Sequence, residues 1–487
     1  MADRLTTDPR LQPPPFLAVP FSLSYVARAC AGTLVRGTGA ADGLRVCTDS
    51  RTAQAGDVFF ALKGDRFDGH AFLGEVAARG AAALVVGPAP LPPDLPAGVG
   101  IIVVDDARRA LGRLAAAWRQ QFDLPVVCVC GSNGKTTTKN LLAAVLAELG
   151  PVLASEASFN NDIGVPLTLL RLAADHRTAV VEAGTNHPGE LAPLLAMSRP
   201  RLGVLTNLGR EHLEFFGDLE GVAREEGALA EALPADGLLV LGGDSDLAES
   251  VARRSLARVL RCGFRETNDW RAEDVRVEDQ GTTFRLAGAP AAFLGEYHVP
   301  LLGRHQAANA LAAIAVGAEL GLDRAAIQRG LAACPPATMR MQLWETHGVR
   351  VLDDAYNANT DSVLAALKTL VELPWPGRRI AVLGDMAELG AQSHAAHAEV
   401  GRAAAELGVG QLIAVGLMAP VMGAAARAAG LLRVFEFTDV DAAAQAIQRF
   451  FKPGDLVLLK ASRATRLERV AAVLRGPEKR RQECCPA

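Results

Sequence analysis

The sequence predicts an α/β fold in three domains, and three observations carry that reading. The chain has 487 residues, 50% of them hydrophobic. That is too long for one core and enough to give roughly three domains a normal interior each. Short apolar runs alternate with amphipathic segments, the pattern of parallel strands joined by helical crossovers. Finally, Pro125–Thr138 (PVVCVCGSNGKTTT) passes from a buried-strand run into a glycine-bracketed loop and then a helix.

The first unit is expected over residues 1–122, built of short strands and helices and ending in a helix over Ala110–Gln121. Asp123-Leu124-Pro125 then opens a second unit, 123–337, with strands over Val126–Cys130, Thr178–Glu182, Leu202–Asn207 and Gly237–Leu241. From Asn140, the residues Leu141, Leu142, Val145, Leu146 and Leu149 recur at helical spacing, and Gly150 supplies the stop. A long helix from Gln306 leads to Cys334-Pro335-Pro336, which closes the unit. The third unit, 338–487, has strands near Arg350–Leu352, Arg379–Leu383, Leu412–Val415 and Leu456–Leu459. In such open sheets ligands gather beyond the carboxyl ends of the strands.

Composition narrows the partners. Net charge is −4, and the only basic stretch is the short Lys479–Arg481 tail, so nucleic acid is not an expected partner. No apolar run approaches the ~18 residues of a membrane span. The start, MADRLTTDPRLQPPPF, lacks a signal-peptide core. Eight cysteines occur without CxxC spacing, which fits a reduced, cytoplasmic thiol set rather than disulfides or zinc. The Pro-rich start and the last dozen residues, with Cys484 and Cys485, read as non-globular.

The loop points to phosphate. Gly131 and Gly134 let the backbone wrap closely around oxygens, and Ser132, Asn133 and Thr137 complete the cradle. Lys135 can reach β/γ-phosphates and the Thr136 hydroxyl can hold Mg²⁺. The strict motif wants a glycine at Val129, so this is a shorter GxxGKT variant. Glu182, just past a buried strand beside this loop, stands where a Mg²⁺ ligand is expected. His212 follows the next strand and reads either as a second ligand or as a structural histidine. On the helix expected over Leu219–Leu233, Val222, Glu226, Leu229 and Leu233 share one face, so Glu226 interrupts an apolar stripe. A carboxylate buried there needs an arginine or a metal, and periodicity does not choose. Two more clusters are dense in polar side chains, Asp49-Ser50-Arg51 with Asp68-Gly69-His70 and Asp353-Asp354-Ala355-Tyr356-Asn357-Ala358-Asn359. Turn chemistry alone accounts for such residues in loops, but less well for the second string straight after a buried strand.

Together these motifs resemble the Mur ligases of peptidoglycan synthesis, over roughly Thr48 to Arg469. CGSNGKTTTK is similar to the family's TGSxGKT loop, with Cys130 for Thr. Phe159–Thr168 is similar to NNxIGVPLT, and Asn186–Glu190, His212-Leu213-Glu214 and Phe216-Gly217 also fit. Asp353–Asn359, Gly384–Gly390 (GDMAELG) and Lys460-Ala461-Ser462-Arg463 resemble the member that adds D-alanyl-D-alanine to UDP-N-acetylmuramoyl-tripeptide. Gln306 stands where an Asn is usual and Thr360 where a Pro is common. Glu226 occupies the place of the family's carbamylated lysine, whose carbamate is itself a carboxylate.

The resemblance implies an ATP- and Mg²⁺-dependent amide ligase working through an acyl phosphate. Lys135, Glu182, His212 and Glu226 would be the catalytic set, with Thr136, Glu182 and His212 toward metal. Asn309 is assigned to adenine, and Arg340 and Asp354 to ribose and phosphates. Asp49, Ser50, Arg51, Asn160, Asn161, Asn357, Asn359, Lys460 and Arg463 are assigned to the substrates. A cytoplasmic monomer acting on small molecules is expected. The alternatives are a folylpolyglutamate-synthetase-like ligase, which lacks a UDP-sugar domain, and a P-loop switch ATPase.

Overall fold

The computed structural model describes residues 22–37, 44–64 and 67–476; the Pro-rich start, the basic tail and Cys484 and Cys485 lie outside them. Three sheets follow one another along the chain. The first has five strands in the order Thr33–Arg36, Gly100–Val103, Ala83–Val86, Asp57–Phe60, Arg45–Cys47, parallel except for the first pair. The third has six, Gln342–Thr346, Val349–Asp353, Leu456–Lys460, Arg379–Gly384, Gln411–Val415 and Val434–Phe437, again with one antiparallel edge pair.

The central sheet positions the site. Val152–Ala154, Thr178–Glu182, Val126–Cys130, Leu202–Leu205, Leu238–Gly242, Arg258–Gly263 and Trp270–Glu278 pair in parallel. Val126–Cys130 is wholly buried because helices cover both of its faces, which is why it reads as an uninterrupted apolar run. Beyond Trp270–Glu278 the sheet continues as an antiparallel ribbon, Gly281–Ala287 and Gly295–Val299. A purely parallel reading misses that ribbon. Its signal is the alternating exposure of Trp270–Glu278 followed by a turn into Gly281 at φ +140°.

Helix limits differ from the sequence reading where backbone groups are claimed by other partners. The helix expected over Leu219–Leu233 divides into Leu219–Glu226 and Ala228–Ala232. Arg254 donates to the Ala223 carbonyl at 2.9 Å and fills the space that a Cβ at Gly227 would need. The apolar stripe survives the break, and Glu226 is fully buried on it. The helix expected from Gln306 to Cys334 is likewise two, His305–Glu319 and Arg324–Ala332, parted at Gly321 (φ +88°). The helix expected over Ala110–Gln121 runs Ala107–Arg119, because Asp106 caps it by accepting from the Arg109 amide at 2.8 Å. Its last residue, Arg119, is buried and donates to the carbonyls of Ser198, Phe122 and Leu124, which fixes the chain as it enters the central sheet.

Candidate active site

The cradle is assembled by contacts from distant loops. Gly131 and Gly134 take positive φ (+111° and +82°), and a Cβ at Gly134 would meet Asn309 Oδ1 at 2.6 Å. Glycine there lets Asn309 lie against the loop. The Gly131, Ser132 and Asn133 amides donate to Glu226 Oε2 (2.7 Å), the Asn207 carbonyl (3.0 Å) and Asn207 Oδ1 (3.0 Å). These bonds hold the loop open. Helix Lys135–Leu146 begins without a side-chain cap, so its first-turn amides face outward as donors for an anion.

Around that helix start sit three carboxylates and two lysines, all largely buried. Thr136 Oγ1 and Asn160 Nδ2 donate to Glu182 Oε1 at 3.1 and 3.0 Å. Among the described residues Glu182 Oε2 has no hydrogen-bond partner, and Lys139 Nζ lies 4.0 Å from it. Lys135 Nζ rests on the Gly131 carbonyl and lies 3.4 Å from Glu211 Oε2. Burial alone lowers the Lys135 pKa, but the charges of Glu211, Glu226 and Glu182 outweigh it and the net shift is upward. Glu226 is also shifted upward, which for a carboxyl favours the neutral form: desolvation, then the Glu211 charge, raises its pKa, with Lys135 and the Gly131 amide opposing. Its carboxylate accepts from the Gly131 amide and feels the charges of Glu211 and Lys135; among the described residues no arginine pairs with it.

A cavity of about 1870 Å³ opens over this floor, with walls from all three sheets' units. Of the residues singled out from sequence, it is lined by Ser132 to Thr137, Asn160, Asn161, Glu182, His212, Asn309, Arg340, Asp354, Asn357, Asn359, Lys460 and Arg463. Gly131 and Glu226 lie behind the loop. Asp49, Ser50 and Arg51 are outside the lining; they form a short 3₁₀ turn in which Arg51 pairs with Asp49. That pairing holds the Asp49 carboxyl down at about 2.

The third sheet's unit meets the cradle directly. Asn359 caps helix Thr360–Glu372 and donates to Asn133 Oδ1 at 2.9 Å. Lys460 Nζ bonds Asp354 Oδ2 at 2.6 Å, and Arg340 stacks on Tyr356 and donates to Ser158. Arg210 forks onto Asp361 and Glu399, with its own amide also on Asp361 at 2.7 Å. His212 and Glu388 both take left-handed backbone (φ +46° and +59°), and Glu388 holds His212 Nδ1. Both carry backbone strain that the contact across the seam holds in place.

Glu211, Arg210 and the Arg108, Arg109 and Arg113 face of the cavity escaped the sequence reading. The arginines carry a weak signal, since 109 and 113 share a helix face opposite the apolar stripe.

The arrangement defines an α/β P-loop protein whose phosphate cradle follows a strand of the central sheet and is met by a helix cap of the third sheet's unit. The chain belongs to the Mur ligase family: residues 45–119 match the Mur ligase family catalytic domain, 129–317 the Mur ligase middle domain, and 339–463 the Mur ligase glutamate ligase domain. The chain is 42% identical, over 76% of its length and 81% of the relative's, to UDP-N-acetylmuramoyl-tripeptide–D-alanyl-D-alanine ligase of Escherichia coli K12. In structure it is similar to the MurF crystal structure from Acinetobacter baumannii (TM-score 0.86, 30% identity, covering 94% of this chain and 100% of that one). It is also similar to Thermotoga maritima MurF ligase in complex with ADP (TM-score 0.76, 29% identity, 88% and 97% covered). Among the described residues no helix is long and apolar enough to cross a membrane.

Proposed function

We infer that this chain is an ATP-dependent amide ligase that adds D-alanyl-D-alanine to UDP-N-acetylmuramoyl-tripeptide. The observation that carries the reading is the 42% identity to an enzyme of that name over 81% of its length, joined to a phosphate cradle with Lys135, Thr136 and Glu182 in place.

The chemistry follows from charge. The tripeptide's terminal carboxylate repels an amine nucleophile, so it first takes the γ-phosphoryl group of ATP, and ADP departs. The amine of D-alanyl-D-alanine then attacks the acyl carbon, inorganic phosphate leaves, and the ammonium proton is lost. Both steps need neutralisation and alignment more than covalent help from the protein. Lys135 and the first-turn amides of its helix hold the β- and γ-phosphates. Asn309 and Arg340 hold the nucleoside, with Lys460 fixing Asp354 near the ribose. Glu182, with one oxygen on the Thr136 hydroxyl and the other accepting no hydrogen bond among the described residues, suits a hard cation. Mg²⁺ held there, with a second ion toward His212, would supply charge neutralisation on the transferring phosphoryl group. Glu226 serves the loop through the Gly131 amide.

The same proposal includes units at 1–122, 123–337 and 338–487, an Asp49–Arg51 turn that receives the UDP-muramoyl part, substrate contacts from Asn160, Asn161, Asn357, Asn359 and Arg463, and a monomer acting in the cytoplasm. Phosphate release with UDP-muramoyl-tripeptide, measured with and without D-alanyl-D-alanine, tests the reading. Release that needs the amine supports the ligase, whereas amine-independent hydrolysis supports a switch ATPase.

A further inference from the structure

The least expected group at the cradle is Glu211. Its side chain is 5% exposed, yet the residue lines the cavity. One oxygen, Oε2, lies 3.4 Å from Lys135 Nζ and 3.9 Å from His212 Nε2. The other, Oε1, is buried without a hydrogen-bond donor among the described residues, and the buried Glu226 carboxyl is a neighbour of the group. An unpaired buried carboxylate oxygen costs free energy unless something arrives to use it.

The neighbouring histidine is prepared in a matching way. Glu388 holds His212 Nδ1, which fixes the ring and leaves Nε2 turned toward Glu211. A histidine with one nitrogen anchored by a carboxylate and the other free is arranged as a metal ligand is. Glu226 is placed differently: its Oε2 is used on the Gly131 amide, and although its Oε1 also accepts no hydrogen bond among the described residues, it lies outside the cavity lining that Glu211 joins.

We propose that Glu211 is a cation ligand of the phosphate site and, with His212, holds the divalent ion that sits beyond the one at Thr136 and Glu182. The proposal rests on the ligase reading for the identity of the nucleotide, and it adds a carboxylate that the helix stripe did not reveal. Lys135, which shares Glu211 before nucleotide arrives, is then released to the phosphates. One or two carboxylates plus phosphate oxygens and water are the usual coordination of Mg²⁺ in such sites.

The test is a count of bound Mn²⁺ by the loss of its free electron paramagnetic resonance signal, with the β,γ-methylene analogue of ATP present. Wild type is expected to bind two ions per chain. Glu211→Gln should lose one, or bind it at least tenfold more weakly, while keeping the other. Glu211→Asp, which keeps the charge on a shorter arm, should weaken the same ion and guards against a fold defect in the first variant. Two ions bound by Glu211→Gln or Glu211→Asp with unchanged affinities overturns the proposal, and leaves Oε1 satisfied by a proton shared with Glu226. A change in nucleotide affinity with no change in the ion count also overturns it, since Glu211 would then only be holding Lys135. Failure of the ligase reading looks different: two ions bound, one of them sensitive to Glu211, but no amine-dependent phosphate release.

Discussion

The phosphate cradle and the Asp49–Arg51 turn are both dense in charge, but they meet water differently. At the cradle Glu182, Glu211 and Glu226 are almost wholly buried, and every loop amide from 131 to 133 is already bonded to protein. At the turn, the Arg51 side chain is 86% exposed and, among the described residues, pairs only with Asp49, two residues away. Buried charges are costly, so they are fixed by one another before any ligand arrives. Exposed ones keep their hydration and gain order only from a ligand. On the proposed function, the first region is expected to set the rate of chemistry and the second the affinity for one substrate.

Removing Lys135 is the severest test of that contrast. Lys135→Ala should lower kcat by a factor of order 10³ or more, since a point charge on the transferring phosphoryl group is lost. Near-normal turnover by a folded variant would break the cradle assignment. Glu226 comes next. Glu226→Leu deletes the acceptor for the Gly131 amide and should raise the KM for ATP by roughly tenfold, the scale of a lost charge-assisted bond. Glu226→Gln keeps an acceptor and should leave the Mg²⁺ dependence unmoved, and activity should not respond to removal of dissolved CO₂.

Arg210→Ala cuts the fork onto Asp361 and Glu399, and should slow turnover about tenfold by loosening closure at the seam. Single-turnover rates at saturating ATP would reveal it. Arg51→Ala should raise KM severalfold for the UDP-substrate alone; an equal loss for ATP would erase the distinction between the two regions. The smallest effect concerns pH. Burial lowers the His305 pKa from 6.5 to about 4, with Asp354 opposing and Lys460 assisting. Because the unfolded chain takes up this proton first as pH falls, the contribution is complete above about 6.5 and is lost progressively down to about 4. His305→Gln should flatten the fall in urea midpoint across that window.

Much of this was legible from local spacing. The buried strand, the glycine loop and the helix after it lie within 25 residues, and their periodicities survive any tertiary context. Glu226 was legible as buried for the same reason, because a helical stripe reports which face is covered. Its partner was not, since Gly131 lies 95 positions away and no periodicity connects them. Glu211 was invisible on similar grounds. Within Arg210-Glu211-His212 it reads as one of three solvated loop charges, and only Lys135, 76 positions away, reveals it as buried. The antiparallel ribbon after Trp270 was readable but overshadowed by the βα alternation before it.

The Asn133–Asn359 bond has a pharmacological consequence. It joins the loop that grips phosphate to the cap of a helix in the third unit, and the cavity passes directly beside both residues. A small amide-bearing molecule that satisfied the two side chains separately would wedge the units apart. Such an inhibitor would need no resemblance to a nucleotide.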